Sequence, residues 1–198
     1  MVPLAELMFP ARRLHRYTYA DYVALELDSP TKHEFLDGEI YAMAGGSEEH
    51  SALAAEVLGL LRGATGDGPC RVHTSDLRIY VETMGLATFP DGSVICGALE
   101  QHAPSPKATA LNPTVLLEVT SDSSEEYDTG DKVEHYRTIR SLRDYVIVSH
   151  RERRITVHAQ SEPGEWAARV AITGGRVAVD SLRIELVVDE IYRKSTIR

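Results

Sequence analysis

Two short segments constrain the fold more than anything else in the chain: Val115-Leu116-Leu117 and Tyr145-Val146-Ile147-Val148 are unbroken apolar runs. A strand with one wet face alternates apolar and polar residues, so continuous runs belong to strands covered on both faces. Between them the pattern predicts a single helix over residues 124–139. A strand, a helix and a second strand at this spacing make a parallel crossover unit. The centre of the molecule is therefore expected to be a sheet with helices on its faces.

Antiparallel elements are predicted on either side of that unit. Thr18, with Asp21 three residues on, reads as a capping-box variant opening a helix to about Leu27, ended by Ser29-Pro30. Strands are expected over 33–36 and 39–43, turned at Asp37-Gly38. Gly45-Gly46 breaks that hairpin. Ser47 then caps a helix whose inward stripe is His50, Leu53, Ala54, Val57, Leu58 and Leu61. Further strands are predicted over 71–74, 77–82, 89–95 and 115–120, with 97–112, which holds Pro104 and Pro106, as a surface loop. Beyond Arg153 the segments 155–159, 167–172 and 176–179 read as a terminal antiparallel meander, and 189–192 as a last helical turn. Residues 1–16 read as a loose lead-in and 17–198 as one domain. The expected class is α/β (α+β): a mixed sheet flanked by helices, with an N-terminal helix–hairpin and a C-terminal antiparallel extension.

Composition narrows the function. With 26% charged and 43% hydrophobic residues the chain is ordinary globular material, which sets aside disorder and collagen-like or coiled-coil structure. A formal net charge of −9 does not hold a polyanion by bulk attraction, so a histone-like binder is excluded. An enzyme that meets a phosphate backbone through a local basic patch and a metal ion is not. The lead-in lacks the long apolar core of a signal peptide, and no apolar run is long enough to span a bilayer. Cys70 and Cys96 are too few for a disulfide framework or a zinc knuckle and are expected to stay reduced. A cytoplasmic protein without a membrane partner follows.

Three residues carry the chemistry. Glu118 ends the most apolar strand, where a carboxylate is costly to desolvate unless something positive pairs with it. Asp91 follows Pro90 at the start of another strand; if the two strands are neighbours, both carboxylates converge at one end of the sheet. Converging carboxylates suit Mg²⁺ or Mn²⁺, which prefer oxygen ligands. Taken alone, Asp91 in Pro-Asp-Gly reads first as a turn residue. Lys132 shares a helical stripe with Asp128, Tyr136 and Ile139 and so faces inward. It reads either as a structural ion pair with Glu118 or as a group that orients water and offsets charge on a phosphate.

The order Pro90-Asp91, Glu118-Val119-Thr120-Ser121, then Asp128, Lys132 and Tyr136 resembles the PD-(D/E)XK nuclease superfamily. It is more closely similar to the Uma-type restriction-endonuclease-like proteins, long listed as a domain of unknown function. Matching segments include 33–40, Ala44-Gly45-Gly46 with His50, 75–78 and 142–148, so the resemblance spans about residues 17–150. It implies a restriction-endonuclease-like core and a Mg²⁺- or Mn²⁺-dependent nuclease acting on DNA, with Asp91 and Glu118 as metal ligands. Thr120 stands where the superfamily pattern has a lysine, and the resemblance moves that role to Lys132. It also makes Glu34 a possible further acidic ligand, where the alternation alone makes it an outward strand residue. His50 reads first as a satisfied core histidine, Asp76 as a turn cap and Tyr136 as a core residue; the alternative for each is an accessory part at the site, for Tyr136 through a hydroxyl hydrogen bond. Arg137, Arg140 and Arg143 are the candidate DNA contacts; Arg151, Arg153 and Arg154 read as a solvated edge. Cutting two strands takes two sites, so a homodimer is expected. The alternative is a non-catalytic relative that keeps the fold to bind nucleic acid or protein. On these expectations Lys132→Met abolishes cleavage and leaves fold and metal affinity unharmed.

Overall fold

The structure is a computed structural model and describes residues 16–102, 108–162 and 164–198. The lead-in, apart from Arg16, and the two loop prolines lie outside the described residues. The elements run α1 (Tyr19–Asp28), β1 (His33–Leu36), β2 (Glu39–Ala42), α2 (Glu48–Thr65), β3 (Cys70–Thr74), β4 (Arg78–Val81), β5 (Leu86–Thr88), β6 (Gly92–Cys96) and β7 (Thr109–Ala110). There follow β8 (Val115–Val119), α3 (Glu125–Thr129), α4 (Asp131–Arg137), β9 (Asp144–Val148), β10 (Arg154–Glu162), β11 (Glu165–Ile172), β12 (Arg176–Val179), β13 (Ile184–Val187) and α5 (Val188–Ile191).

The two apolar runs do pair in parallel, Leu116 against Tyr145 and Glu118 against Ile147. They form the centre of a six-stranded sheet ordered β11-β10-β9-β8-β6-β3. One face buries Val94, Val115, Leu117, Val146 and Val148 against Leu53, Val57 and Leu61 of α2 and against the β12–β13 hairpin. The other buries Leu116, Tyr145 and Ile147 under Val133 and Tyr136 of α4 and against Ile79, Val81 and Leu86 of a second sheet. That second sheet, ordered β2-β1-β5-β4-β7, carries the N-terminal hairpin. Its turn fits the sequence: Asp37 and Gly38 both take positive φ, +44° and +91°, as a primed turn requires. The capping box of α1 is also present, Thr18 Oγ1 accepting from the Asp21 N–H and Asp21 Oδ2 from the Thr18 N–H.

Four expectations are corrected. The strand predicted over 89–95 is two strands in two sheets, β5 and β6, separated at Phe89-Pro90-Asp91, where Pro90 has no N–H for a ladder. The predicted surface loop contains β7, fully buried and parallel to β4. The crossover helix is broken at Gly130, whose φ/ψ of −115°/−105° is not helical; a Cβ there would meet the Glu126 carbonyl oxygen at 2.8 Å. Finally, Cys70 and Cys96 face each other across β3 and β6 and form a disulfide. A separation of 26 residues gives no hint of that register. The bond closes the end of β6 remote from Asp91, about 16 Å along the strand. Cys70→Ser is therefore expected to lower the unfolding free energy by about 2–4 kcal/mol. Urea denaturation should show it, with reduced wild type falling to the same value.

Candidate functional site

Alternation along β8 sets the site. Leu117 and Val119 face α2, while Leu116 and Glu118 face α4, so the carboxylate enters the apolar layer beneath that helix. It is met there by Lys132, in the first turn of α4, with Nζ 2.8 Å from Glu118 Oε1. The same ammonium lies 3.2 Å from Asp128 Oδ1, one turn back across the Gly130 break, and 3.1 Å from Glu34 Oε1 on β1. Its side chain is only 4% exposed. Three carboxylates from three elements thus converge on one cation. Hydroxyls complete the shell: Tyr136 donates to Glu118 Oε1 at 3.0 Å, Tyr145 to the Asp128 carbonyl at 3.0 Å, and Thr88 to Glu34 Oε1. The Tyr127 ring centre is 5.4 Å from Nζ, within cation–π range.

Asp91 completes the group from the neighbouring strand. Gly92 is registered against Leu117, which brings the preceding Asp91 level with the Glu118–Val119 end of β8. Its Oδ2 accepts the Val119 N–H at 2.8 Å and stands 3.1 Å from His50 Nε2 in the first turn of α2.

Three carboxylates around one ammonium, with Asp91 close by on the next strand, leave a partly buried excess of negative charge. The Glu118 carboxyl is raised to about 8: burial pushes it up, Lys132 opposes that, and Asp128 and Asp91 add to the rise. Burial disfavours the Lys132 charge, but Glu118, Tyr136, Glu34 and Asp128 outweigh it and hold its pKa well above the ordinary value. The hydrogen bond to Asp91 raises His50, against the opposing effect of burial.

Asp91, Glu118, Lys132 and Tyr136 therefore meet as the sequence implied, and two expectations change. Glu34 is not an outward strand residue, because its side chain turns to Lys132. His50 is not an apolar-core histidine, because its ring pairs with Asp91. Asp76, 88% exposed, pairs with Lys32 at 2.9 Å and is not part of the buried group. The arginines are placed elsewhere too. Arg137 binds Glu134 and His158, and Arg143 lies at the start of β9, its N–H bonded to the Thr114 carbonyl just before β8. Arg140 and Arg143 are thus at the opposite sheet end from Glu118. Arg151, in the turn after β9, is at the correct end, paired with Asp122 and Glu125. Thr88 and Tyr127 escaped the sequence reading, since only tertiary packing brings them to Glu34 and Lys132.

A divalent ion is the test of this donor set. Among the described residues no three His, Cys, Asp or Glu side chains form a ready metal cage. Mg²⁺ rarely uses one; it keeps waters and takes one or two carboxylates together with a substrate phosphate. Asp91 and Glu118 offer such a pair, and the burial of Glu118 beside Asp128 and Asp91, which raises its pKa, is a burden that a cation would relieve. The residues fit the ion.

The family model of Uma2, described as "Putative restriction endonuclease", matches residues 19–189, which include the whole group. The chain belongs to the Uma2 family. It is 31% identical over 186 residues to the uncharacterised Synechocystis sp. protein slr1290, covering 93% of this chain and 95% of that one. It is 30% identical over 149 residues to the uncharacterised sll1609 of the same organism, covering 75% and 84%. A solved Anabaena variabilis structure, titled a "putative nuclease belonging to DUF820", superposes with a TM-score of 0.69 at 16% identity over 87% of this chain and 97% of that one. This Uma2 chain thus has a nuclease-like fold. No helix among the described residues is long and apolar enough to cross a membrane.

The charge excess has a consequence for stability. In metal-free protein the folded state keeps a proton on Glu118 between the ordinary 4.5 and about 8, while the unfolded chain has lost it. Stability therefore falls as pH rises through that window. Urea unfolding in chelator should show the decline, and Glu118→Gln should flatten it; an identical slope in both proteins would place the proton elsewhere.

Proposed function

We propose that the chain is an endonuclease that hydrolyses phosphodiester bonds in DNA with Mg²⁺ or Mn²⁺. The observation that carries this reading is the Lys132 ammonium held 2.8 Å from Glu118, on the sheet end that Asp91 also reaches. Asp91 and Glu118 would hold the ion, which supplies Lewis-acid activation of water and neutralises phosphate charge. Glu34 and Asp128 serve Lys132: they keep its long side chain in one rotamer, charged and dry. From there the ammonium orients the attacking water and stabilises the negative charge that gathers on the phosphoryl oxygens. Water adds to phosphorus and loses a proton, the P–O bond breaks, and the leaving oxygen takes a proton up. Arg151 is the cation placed to meet the backbone at this end. DNA as substrate puts the working protein in the cytoplasm, where the Cys70–Cys96 bond is open to reduction. Cleavage of both strands takes two copies, a homodimer.

Cleavage of a panel of single- and double-stranded DNAs with Mg²⁺, Mn²⁺ or chelator tests the proposal. Metal-dependent cutting by wild type, reduced at least about 100-fold in Lys132→Met and in Asp91→Ala, is expected. The three-way clamp alters one expectation for Lys132→Met. Removing the ammonium leaves Glu34, Glu118 and Asp128 without their cation, so the variant should lose stability, by about 3–5 kcal/mol if the buried pairs behave typically. Mg²⁺ should restore part of the loss. No cutting by wild type under any metal would favour a non-catalytic binding role.

A further inference from the structure

His50 stands against Asp91 with two unlike nitrogens. Nε2 is 3.1 Å from Asp91 Oδ2, and both side chains are largely buried, at 16% and 18% exposure. Nδ1 is turned to the backbone of the Gly45-Gly46 segment: a Cβ on Gly46 would come within 2.5 Å of it and 3.0 Å of Cγ. A glycine is therefore required at 46 for the ring to lie where it does. The Ser47 hydroxyl, accepting the His50 N–H at 3.1 Å, fixes the same turn from the other side.

This arrangement separates two roles a histidine beside an aspartate can play. A general base presents one nitrogen to aspartate and the other to its substrate. Here the second nitrogen faces the backbone at Gly46, whose missing Cβ leaves the ring its place, and the one side chain that the ring pairs with is Asp91. The role these contacts support is to hold Asp91. Oδ2 already accepts the Val119 N–H at 2.8 Å, and Nε2 stands 3.1 Å from the same oxygen as an ion pair. With Oδ2 committed twice, rotation of the carboxylate is blocked and the other oxygen is left for a ligand.

We infer that His50 is a positioning residue, locked by Gly46, that fixes Asp91 with one oxygen free for the cation. The role rests on the proposed reading of Asp91 as a metal ligand. It places Gly46, which touches no ligand, on the path to metal affinity.

Mn²⁺ binding, followed by electron paramagnetic resonance of free Mn²⁺, tests it in wild type, His50→Ala, His50→Gln, Gly46→Ala and the double variant Gly46→Ala/His50→Ala. Removing a residue that orients a ligand commonly costs 10–100-fold in metal affinity, so His50→Ala should weaken Mn²⁺ at least about tenfold. His50→Gln keeps an amide N–H at a similar reach and should recover most of the loss. Gly46→Ala should weaken binding in the wild-type background and do nothing further when His50 is already alanine, because its effect passes through the ring. Equal Mn²⁺ affinity in wild type and His50→Ala overturns the inference, as does a full additive loss in the double variant. A readout without metal separates this failure from that of the nuclease reading. Imidazole ¹H–¹⁵N spectra of metal-free protein should show a slowly exchanging Nε2 proton on His50 that is lost in Asp91→Ala. Absence of that proton in wild type overturns the contact itself. Its presence with no Mn²⁺ binding in any protein overturns the metal role of Asp91, and the His50 role with it.

Discussion

Lys132 is the point on which the molecule turns. Its ammonium is the cation common to Glu34, Glu118 and Asp128, three carboxylates that would otherwise repel one another in a water-poor layer. Those residues belong to both sheets and to the crossover helices, so one side chain ties together the N-terminal hairpin, the central strand and α3. An ion pair of this kind is poor evidence for stability, since desolvating so many charges costs about as much as their attraction returns. What it secures is geometry. The Gly130 break belongs to the same economy of shape: it lets Asp128 end one helix and Lys132 begin the next while both point inward.

Around this clamp the charge does not balance, and the imbalance is the functional argument. Glu118 holds its proton to about 8 because burial, Asp128 and Asp91 together outweigh one lysine. On the proposed reading, a divalent cation would offset that excess. That agrees with membership of the Uma2 family, described as "Putative restriction endonuclease", and with the fold it shares with the Anabaena variabilis protein. The proposed reading also accommodates the acidic chain: it asks for basic groups locally, Lys132 inside and Arg151 at the rim, and not for overall positive charge.

Much of this was legible in the sequence where the signal is local. The unbroken runs at 115–117 and 145–148 announced a doubly covered parallel pair, Asp37-Gly38 a primed turn, and the four-residue spacing of Asp128, Lys132 and Tyr136 an inward stripe. What stayed hidden depends on partners far along the chain. Nothing in Phe89-Pro90-Asp91 says that its flanking strands join different sheets, and nothing near Glu34 announces Lys132, 98 residues on. The cross-strand meeting of Cys70 and Cys96 and the Gly46–His50 contact are likewise properties of packing. The arginine candidates lie away from Glu118 for the same reason: position after the helix was readable, but the end of the sheet to which it leads was not.

The most direct test of the account is anomalous diffraction from a crystal soaked in Mn²⁺. The account predicts one strong peak between the Asp91 and Glu118 carboxylates, with Lys132 still beside Glu34 and Asp128. A saturating soak that leaves that position empty, or a peak only at remote surface carboxylates, would contradict it.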